Sequence, residues 1–350
     1  MNLNKMKKIF WFLLVSFLLS CNTEDRNAVI VPKGDFQNGF FIVNQGENGN
    51  SGSLDYVSQN EYKVLSKVYD SINHTALGQK PHSVLTYGDH LYISVSGDNK
   101  LIKLNRNTLE QELVREDQSS GDLINPKYMA INNGKGFIGV GGNSTDGNSE
   151  ILTLNLETLA TEKTISVSNV PGKIFSFNGK IYVLLEGDAQ NPGNKIAIIN
   201  PNSGELEKEL IIGFYPNHYT AYRDKIIISC NGLHTGTNNE AGSLWELNND
   251  EVSKIYERPN ASENLQDFSI DRDGTAYFLV NGQLYNSDFN GTITNEKTIG
   301  STIYNSLFRI NDRMVALKIN SNLPGQADVY ISSDLYESFA TGIHPVDAGE

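Results

Sequence analysis

Four prolines, Pro81, Pro126, Pro171 and Pro216, fall 45 residues apart along the chain. Self-similarity at a fixed period of this length marks a repeat architecture, in which one unit is too small to bury its apolar face and must stack on its neighbours. After each proline a short strand pattern leads to a polar turn: Gly88-Asp89, Asn133-Gly134, Asn178-Gly179 and Arg223-Asp224. An apolar run follows, at residues 91–95, 136–140, 181–185 and 226–230. A third strand then ends in asparagine each time, at residues 101–105, 151–155, 196–200 and 244–248. A fourth, more polar strand completes the unit, as at residues 207–212. Four short strands in about 45 residues is the period of a propeller blade.

The pattern continues without its proline. Leu265-Gln266-Asp267-Phe268 opens a fifth unit and Tyr304-Asn305-Ser306-Leu307 a sixth. The seventh is split: residues 40–44, 53–57 and 63–69 supply strands two to four with no first strand before them, and His344-Pro345-Val346-Asp347-Ala348 supplies that strand from the other end. The expectation is an all-β, seven-bladed β-propeller over residues 34–350, with four-stranded antiparallel blades and a ring closed by pairing the two chain ends. Closure removes the exposed sheet edges on which β proteins aggregate. An open solenoid is the alternative. With 39% hydrophobic residues the chain can fill such a core. Its net charge of −13 argues against nucleic acid as a partner, because phosphate binding needs clustered positive charge.

The N-terminus is an address. Lys5, Lys7 and Lys8 precede an apolar run at residues 9–19, the pattern of a secretory signal over residues 1–20 and too short for a spanning helix. Leu18-Leu19-Ser20-Cys21 resembles a bacterial lipobox, which implies lipidation of Cys21; an ordinary signal with a chance cysteine is the alternative. Residues 21–33 then form a lipidated, flexible tether. Asn22-Thr23-Glu24-Asp25 resembles the acidic export signal of Bacteroidota-type surface lipoproteins, which implies an outer-membrane protein displayed outward. With Cys21 acylated, Cys230 has no partner for a disulfide and reads as a buried thiol behind its apolar run.

Asn44-Gln45-Gly46-Glu47, Gly52-Ser53-Leu54-Asp55-Tyr56, and Val68-Tyr69-Asp70 leading to Asn73 and Leu77-Gly78 resemble the opening of the YncE-like surface-lipoprotein propellers related to the DUF5074 group. The resemblance covers essentially the whole mature chain. Its members include vitamin B12-capturing lipoproteins that cap TonB-dependent corrinoid transporters, so it implies a nutrient-capture role and a transporter partner. Gln45 stands where the family usually has Glu, and Lys127 where Arg is commoner.

In a propeller the loop entering each first strand and the loop between strands two and three emerge on one face, the default binding site around the channel. Five of the six histidines fall in those segments: His74, His82, His218, His234 and His344. Tyr128, Tyr219 and Tyr304 join them, with Lys80, Lys127 and Lys173 as positive charge and Asn217, Gln266 and Asn305 as amides. Gln45, Glu47, Asn143, Asn148, Glu186, Asn194 and Asn238 sit in the second-to-third loops. The expected ligand contacts are Gln45, Glu47, His74, His82, Lys127, Tyr128, Lys173, Asn217, His218, Tyr219, Gln266, Tyr304 and His344. Aromatic rings and amides in such numbers suit a large ligand rich in amides or hydroxyls; many of the asparagines equally serve turns.

No zinc-spaced Cys/His set, HExxH, GxSxG or Walker sequence occurs. Asp271-Arg272-Asp273-Gly274 looks like half a calcium loop but occupies a hairpin turn, and Trp245 reads as core. Asp70-Ser71-Ile72 matches a short O-glycosylation pattern. The expectation is a monomeric, non-enzymatic capture protein with no resident cofactor or metal. It would take a corrinoid first and a siderophore or other metal chelate second. One alternative is a metal-dependent lyase or lactonase using Glu47 and Glu186 beside His82 and His218; another is a structural propeller that docks a protein through its acidic rim.

Overall fold

Each repeat builds one four-stranded antiparallel sheet, and seven such sheets form the ring. The computed structural model describes residues 36–118, 121–141, 149–236 and 239–350. The signal, Cys21, the tether, Asn143, Asn148 and Asn238 lie outside the described residues. Among the described residues no helix is long and apolar enough to cross a membrane.

The innermost strands of blades I to VI are Pro81–Tyr87, Met129–Asn132, Pro171–Phe177, Pro216–Tyr222, Gln266–Ile270 and Ser306–Ile310. Blade VII takes its innermost strand from the C-terminus, Pro345–Gly349, and its next two from the N-terminal part, Gly39–Asn44 and Ser53–Ser58. Pairing runs Phe41 with Gly349, Ile42 with Ala348 and Val43 with Asp347, which closes the ring.

Second strands are nearly all buried, as in His90–Val95 and Lys225–Cys230, because both faces of the sheet meet a neighbouring blade. The apolar clusters lie between blades. Phe137, Ile151 and Ala130 of blade II pack on Ile174, Val183 and Ala197 of blade III, and Ile198 and Leu184 of blade III on Ile228 and Leu247 of blade IV. Cys230 is fully buried there and its thiol is pushed up by burial; Trp245 packs against the same cluster and donates Nε1–H to Ser243 Oγ at 3.0 Å.

Turn chemistry matches the sequence. Asn133-Gly134 and Asn178-Gly179 both have positive φ, the type I′ geometry that suits a two-residue hairpin. Asp271 accepts from the amides of Asp273 and Thr275, so the half calcium loop is a hairpin turn.

Blade VII departs from expectation. Its fourth strand is only Val64–Leu65, and residues 68–73 form a helix, Val68–Asn73, instead of completing a strand through Tyr69. Asp55, fully buried, accepts from the amides of Lys67 and Gly342. Lys67 turns at φ 54, which swings Tyr69 inward to bond Gln111 of blade I.

Candidate functional site

The innermost strands start at the face where the second-to-third loops emerge, the entry face, and end at the opposite one. Four of the five prolyl starts carry a β-bulge; at the fifth, Pro126, the ladder begins only at Met129. Register shifts fall between Pro81 and Ser83, Pro171 and Ile174, Pro216 and His218, and at the Val43/Asn44 step opposite Pro345. Bulges re-aim side chains and recur beside functional sites. The result is one register position repeated around the axis: Ser83, Tyr128, Lys173, His218 and Asp347 all stand two residues after a proline, and all line one axial cavity of about 310 Å³.

Much of the axial polar inventory ties blade to blade. Asp347 Oδ2 accepts from Val84 N–H at 3.0 Å, joining blades VII and I. Ser83 Oγ donates to the Lys127 carbonyl at 2.9 Å, joining I and II. Phe175 stacks on Tyr219 at 4.0 Å, joining III and IV. Asp267 Oδ2 accepts from Leu307 N–H at 3.0 Å, joining V and VI. Asn217 donates to Asn231 Oδ1 and the Leu265 carbonyl while accepting from Ser229 Oγ and Asp267 N–H. Its amide, expected to face a ligand, is fully committed to bracing blades IV and V.

Lys173, His82 and Glu186 stand apart from these braces. Lys173 Nζ makes no hydrogen bond; Asp347 Oδ1 lies 3.8 Å away, and the rings of Tyr128 and Phe308 lie 4.4 and 5.3 Å from it. His82 Nε2 is buried without a partner, its ring edge-on to Tyr128 at 4.7 Å. The Glu186 carboxyl has no hydrogen-bond partner and folds against Gly172, where a Cβ would come within 2.2 Å of it. Gly172 is therefore the cleft into which Glu186 fits.

Burial sets the protonation pattern. His82 and His218 are pushed down to about 3, by burial first and then by the neighbouring lysines, so both are neutral at pH 7. Glu186 is pushed up to about 7 and Asp267 to about 6, burial outweighing the lysines in each case. Asp347 is raised by burial against the pull of Lys173. Burial lowers Lys173, but Tyr128, Asp347 and Asp267 outweigh it and hold the ammonium above the ordinary lysine value. Tyr128 and Tyr219 are raised by burial.

The other expected contacts scatter. Glu47 and His344 meet at the rim, Nδ1 to Oε1 3.0 Å, with the Asn322 amide on the other Glu47 oxygen at 2.6 Å. The Asn322 amide and His344 hold Glu47 below the usual carboxylate range. The Gln45 amide donates to the His344 carbonyl at 2.9 Å, placing Gln45 at the same rim. Glu47 is thus paired away from His82 and His218. Gln266 opens the innermost strand of blade V opposite Leu279. His234 sits exposed on a two-stranded hairpin of blade IV.

Two placements correct the sequence expectation. Tyr304 is 2% exposed and gives its hydroxyl to Asp328 at 2.5 Å beside Tyr330, so it is core between blades V and VI. His74 caps the helix Val68–Asn73, whose Asn73 bonds the Leu109 carbonyl and Gln111 amide at the third-to-fourth turn of blade I. That turn opens on the face opposite the entry face. Among the described residues no three His, Cys, Asp or Glu side chains converge as a metal-holding group.

The family model for the domain of unknown function DUF5074 matches residues 38–257. The chain belongs to the DUF5074 family. The DUF5074 match takes in the N-terminal strands of blade VII and blades I to IV, and so includes His82, Tyr128, Lys173, Glu186 and His218. No curated protein matches the chain. Among solved structures, Kuenenia stuttgartiensis hydrazine synthase superposes with a TM-score of 0.59 at 11% identity, covering 81% of this chain and 90% of that one. Virginiamycin B lyase from Staphylococcus aureus gives 0.55 at 15% identity, covering 74% and 83%. Apo AztD from Citrobacter koseri gives 0.52 at 10% identity, covering 89% and 96%. At these identities the likeness is one of fold alone.

Proposed function

We propose that this DUF5074 propeller is a ligand-binding protein that captures a nutrient on its entry face, a corrinoid first and a siderophore or other metal chelate second. In this reading Cys21 carries lipid, the tether holds the propeller at the outer surface of the outer membrane, and a TonB-dependent transporter receives the cargo. The observation that carries it is His82 Nε2, buried at the channel without a partner, with Lys173 Nζ and the Glu186 carboxyl near it making no hydrogen bond within range. A buried polar group left without a partner costs stability, so its retention favours a ligand that supplies one. A macrocycle is wider than the 310 Å³ cavity, and would rest on the entry-side loops with a polar arm directed at these groups.

Thermal unfolding of the protein with hydroxocobalamin, haem, a ferric siderophore and divalent cations tests the reading. A ligand at a hundredfold excess over its dissociation constant adds about 2.7 kcal/mol, and His82→Ala should weaken the response. A shift with a divalent cation alone would move the lyase reading ahead. No shift with any organic probe would sink the capture reading in favour of protein docking.

A further inference from the structure

The 310 Å³ cavity does not lie among the entry loops. Its walls come from the inner strands beyond the proline bulges, as far as Leu85, Ala221, Arg309 and Ala348, in the half of the channel that leads to the opposite face. At its head stands the Lys173 ammonium, its side chain 13% exposed. Its N–H donors find no acceptor within hydrogen-bond range: Asp347 Oδ1 lies at 3.8 Å, and the rings of Tyr128 and Phe308 lie at 4.4 and 5.3 Å. A desolvated cation with unused donors, beside a cavity large enough for a small molecule, is an acceptor site.

The two cations on the wall differ in their pairing: Arg309 is tied to the Ile270 carbonyl and to Asp312 at 3.7 Å, whereas Lys173 meets Asp347 beyond hydrogen-bond range, with Asp267 as a further charge neighbour. One ammonium with open donors suits a single carboxylate as its acceptor. On the same wall, His218 Nδ1 lies 3.1 Å from the Phe268 carbonyl. A carbonyl only accepts, so Nδ1 carries the proton and Nε2 is left as an acceptor for a ligand hydroxyl.

We propose that this cavity binds a small hydroxycarboxylate of about sugar-acid size, its carboxylate on Lys173 Nζ and a hydroxyl donating to His218 Nε2. The site shares Lys173 with the entry-face reading but neither His82 nor Glu186, so Ala221→Trp tests the cavity alone and His82→Ala the entry face alone.

The probes are sodium D-glucuronate and sodium lactate, with D-glucose and lactamide as uncharged counterparts and inorganic phosphate as a more highly charged anion, measured by calorimetry at constant ionic strength. The carboxylates should bind, and their uncharged counterparts should bind at least about tenfold more weakly, as loss of a charged hydrogen bond implies. Lys173→Met should lose binding by a similar factor and Lys173→Arg should keep it. Because Lys173→Met strips Asp347 of its partner and could fail to fold, Ala221→Trp provides the second variant. Ala221 is exposed on the cavity wall, so the indole should block carboxylate binding while leaving any response to hydroxocobalamin unchanged. Equal binding of glucose and glucuronate would overturn the proposal. So would phosphate binding as tightly as glucuronate, no binding of either carboxylate at about 10 mM, or binding undiminished in Ala221→Trp.

Discussion

Glu186 lies against Gly172 with no hydrogen-bond partner, so ionising it in the folded state places a charge on the channel wall that only Lys127 and Lys173 offset at a distance. Its folded pKa of about 7 stands above the ordinary 4.5. Stability from this group is therefore complete below the unfolded value and lost as pH rises through about 7. The buried histidines act in the opposite sense. Their folded values of about 3 lie below 6.5, so their contribution is present above 6.5 and lost as pH falls towards 3. Acid unfolding then draws on His82 and His218, and the decline towards and beyond neutral pH on Glu186 together with Asp267 and Asp347. Glu186→Gln should match wild type at about pH 4 and exceed it at about pH 8 by on the order of 2 kcal/mol. Equilibrium unfolding of both proteins across that range checks this, and a difference that does not vary with pH would mean Glu186 titrates as an ordinary carboxylate.

At the scale of the strand and turn, the recurring terminal asparagines act through their side chains. Asn105, Asn155 and Asn200 each accept from two amides of the following turn with Oδ1. Four residues on, Leu109, Leu159 and Gly204 adopt positive φ and hand the chain into the fourth strand. Asn155→Ala removes the single oxygen that accepts both bonds and should cost about 1 kcal/mol, read as a lower midpoint in denaturant; an unchanged midpoint would mean that water replaces the side chain. Such features are legible in sequence because they are local and the repeat prints them several times over. The blades, their order and the closing strand at Pro345 were legible for the same reason. The helix Val68–Asn73 was not, because its cause is Asp55 reaching the amides of Lys67 and Gly342 across the fold. Tyr304 was misplaced for a like reason, since Asp328 and Tyr330 draw its hydroxyl into the core. Asp347 had a visible signal, two residues after Pro345 in the register of Lys173 and His218, but only the bulge explains why that register faces the axis.

For the molecule as a whole, the question is how the ring is held shut. The chain ends meet through the five residues Pro345–Gly349, and the innermost of these contacts is also the electrostatic centre of the channel. Asp347 does three things at once: it pairs with Val43 in the closing ladder, accepts from Val84 N–H of blade I, and stands 3.8 Å from Lys173 of blade III. Closure and charge compensation are therefore coupled, since the ammonium of blade III gains its nearest counter-ion only when the C-terminal strand docks. A buried pair broken on one side costs about 3–5 kcal/mol, whereas replacing both partners with uncharged groups is close to neutral. Asp347→Asn keeps the side-chain shape and an acceptor for Val84 but takes from Lys173 its nearest counter-ion. It should lower the unfolding free energy by on the order of 3 kcal/mol, and Lys173→Met should be comparably costly with Asp347 intact. The double variant should recover most of the loss, giving a coupling energy that exceeds what exposed ion pairs show. Unfolding titrations of the four proteins decide it. If the two single effects simply add, Lys173 and Asp347 do not interact across the axis, and the ring is held by its strand pairing alone.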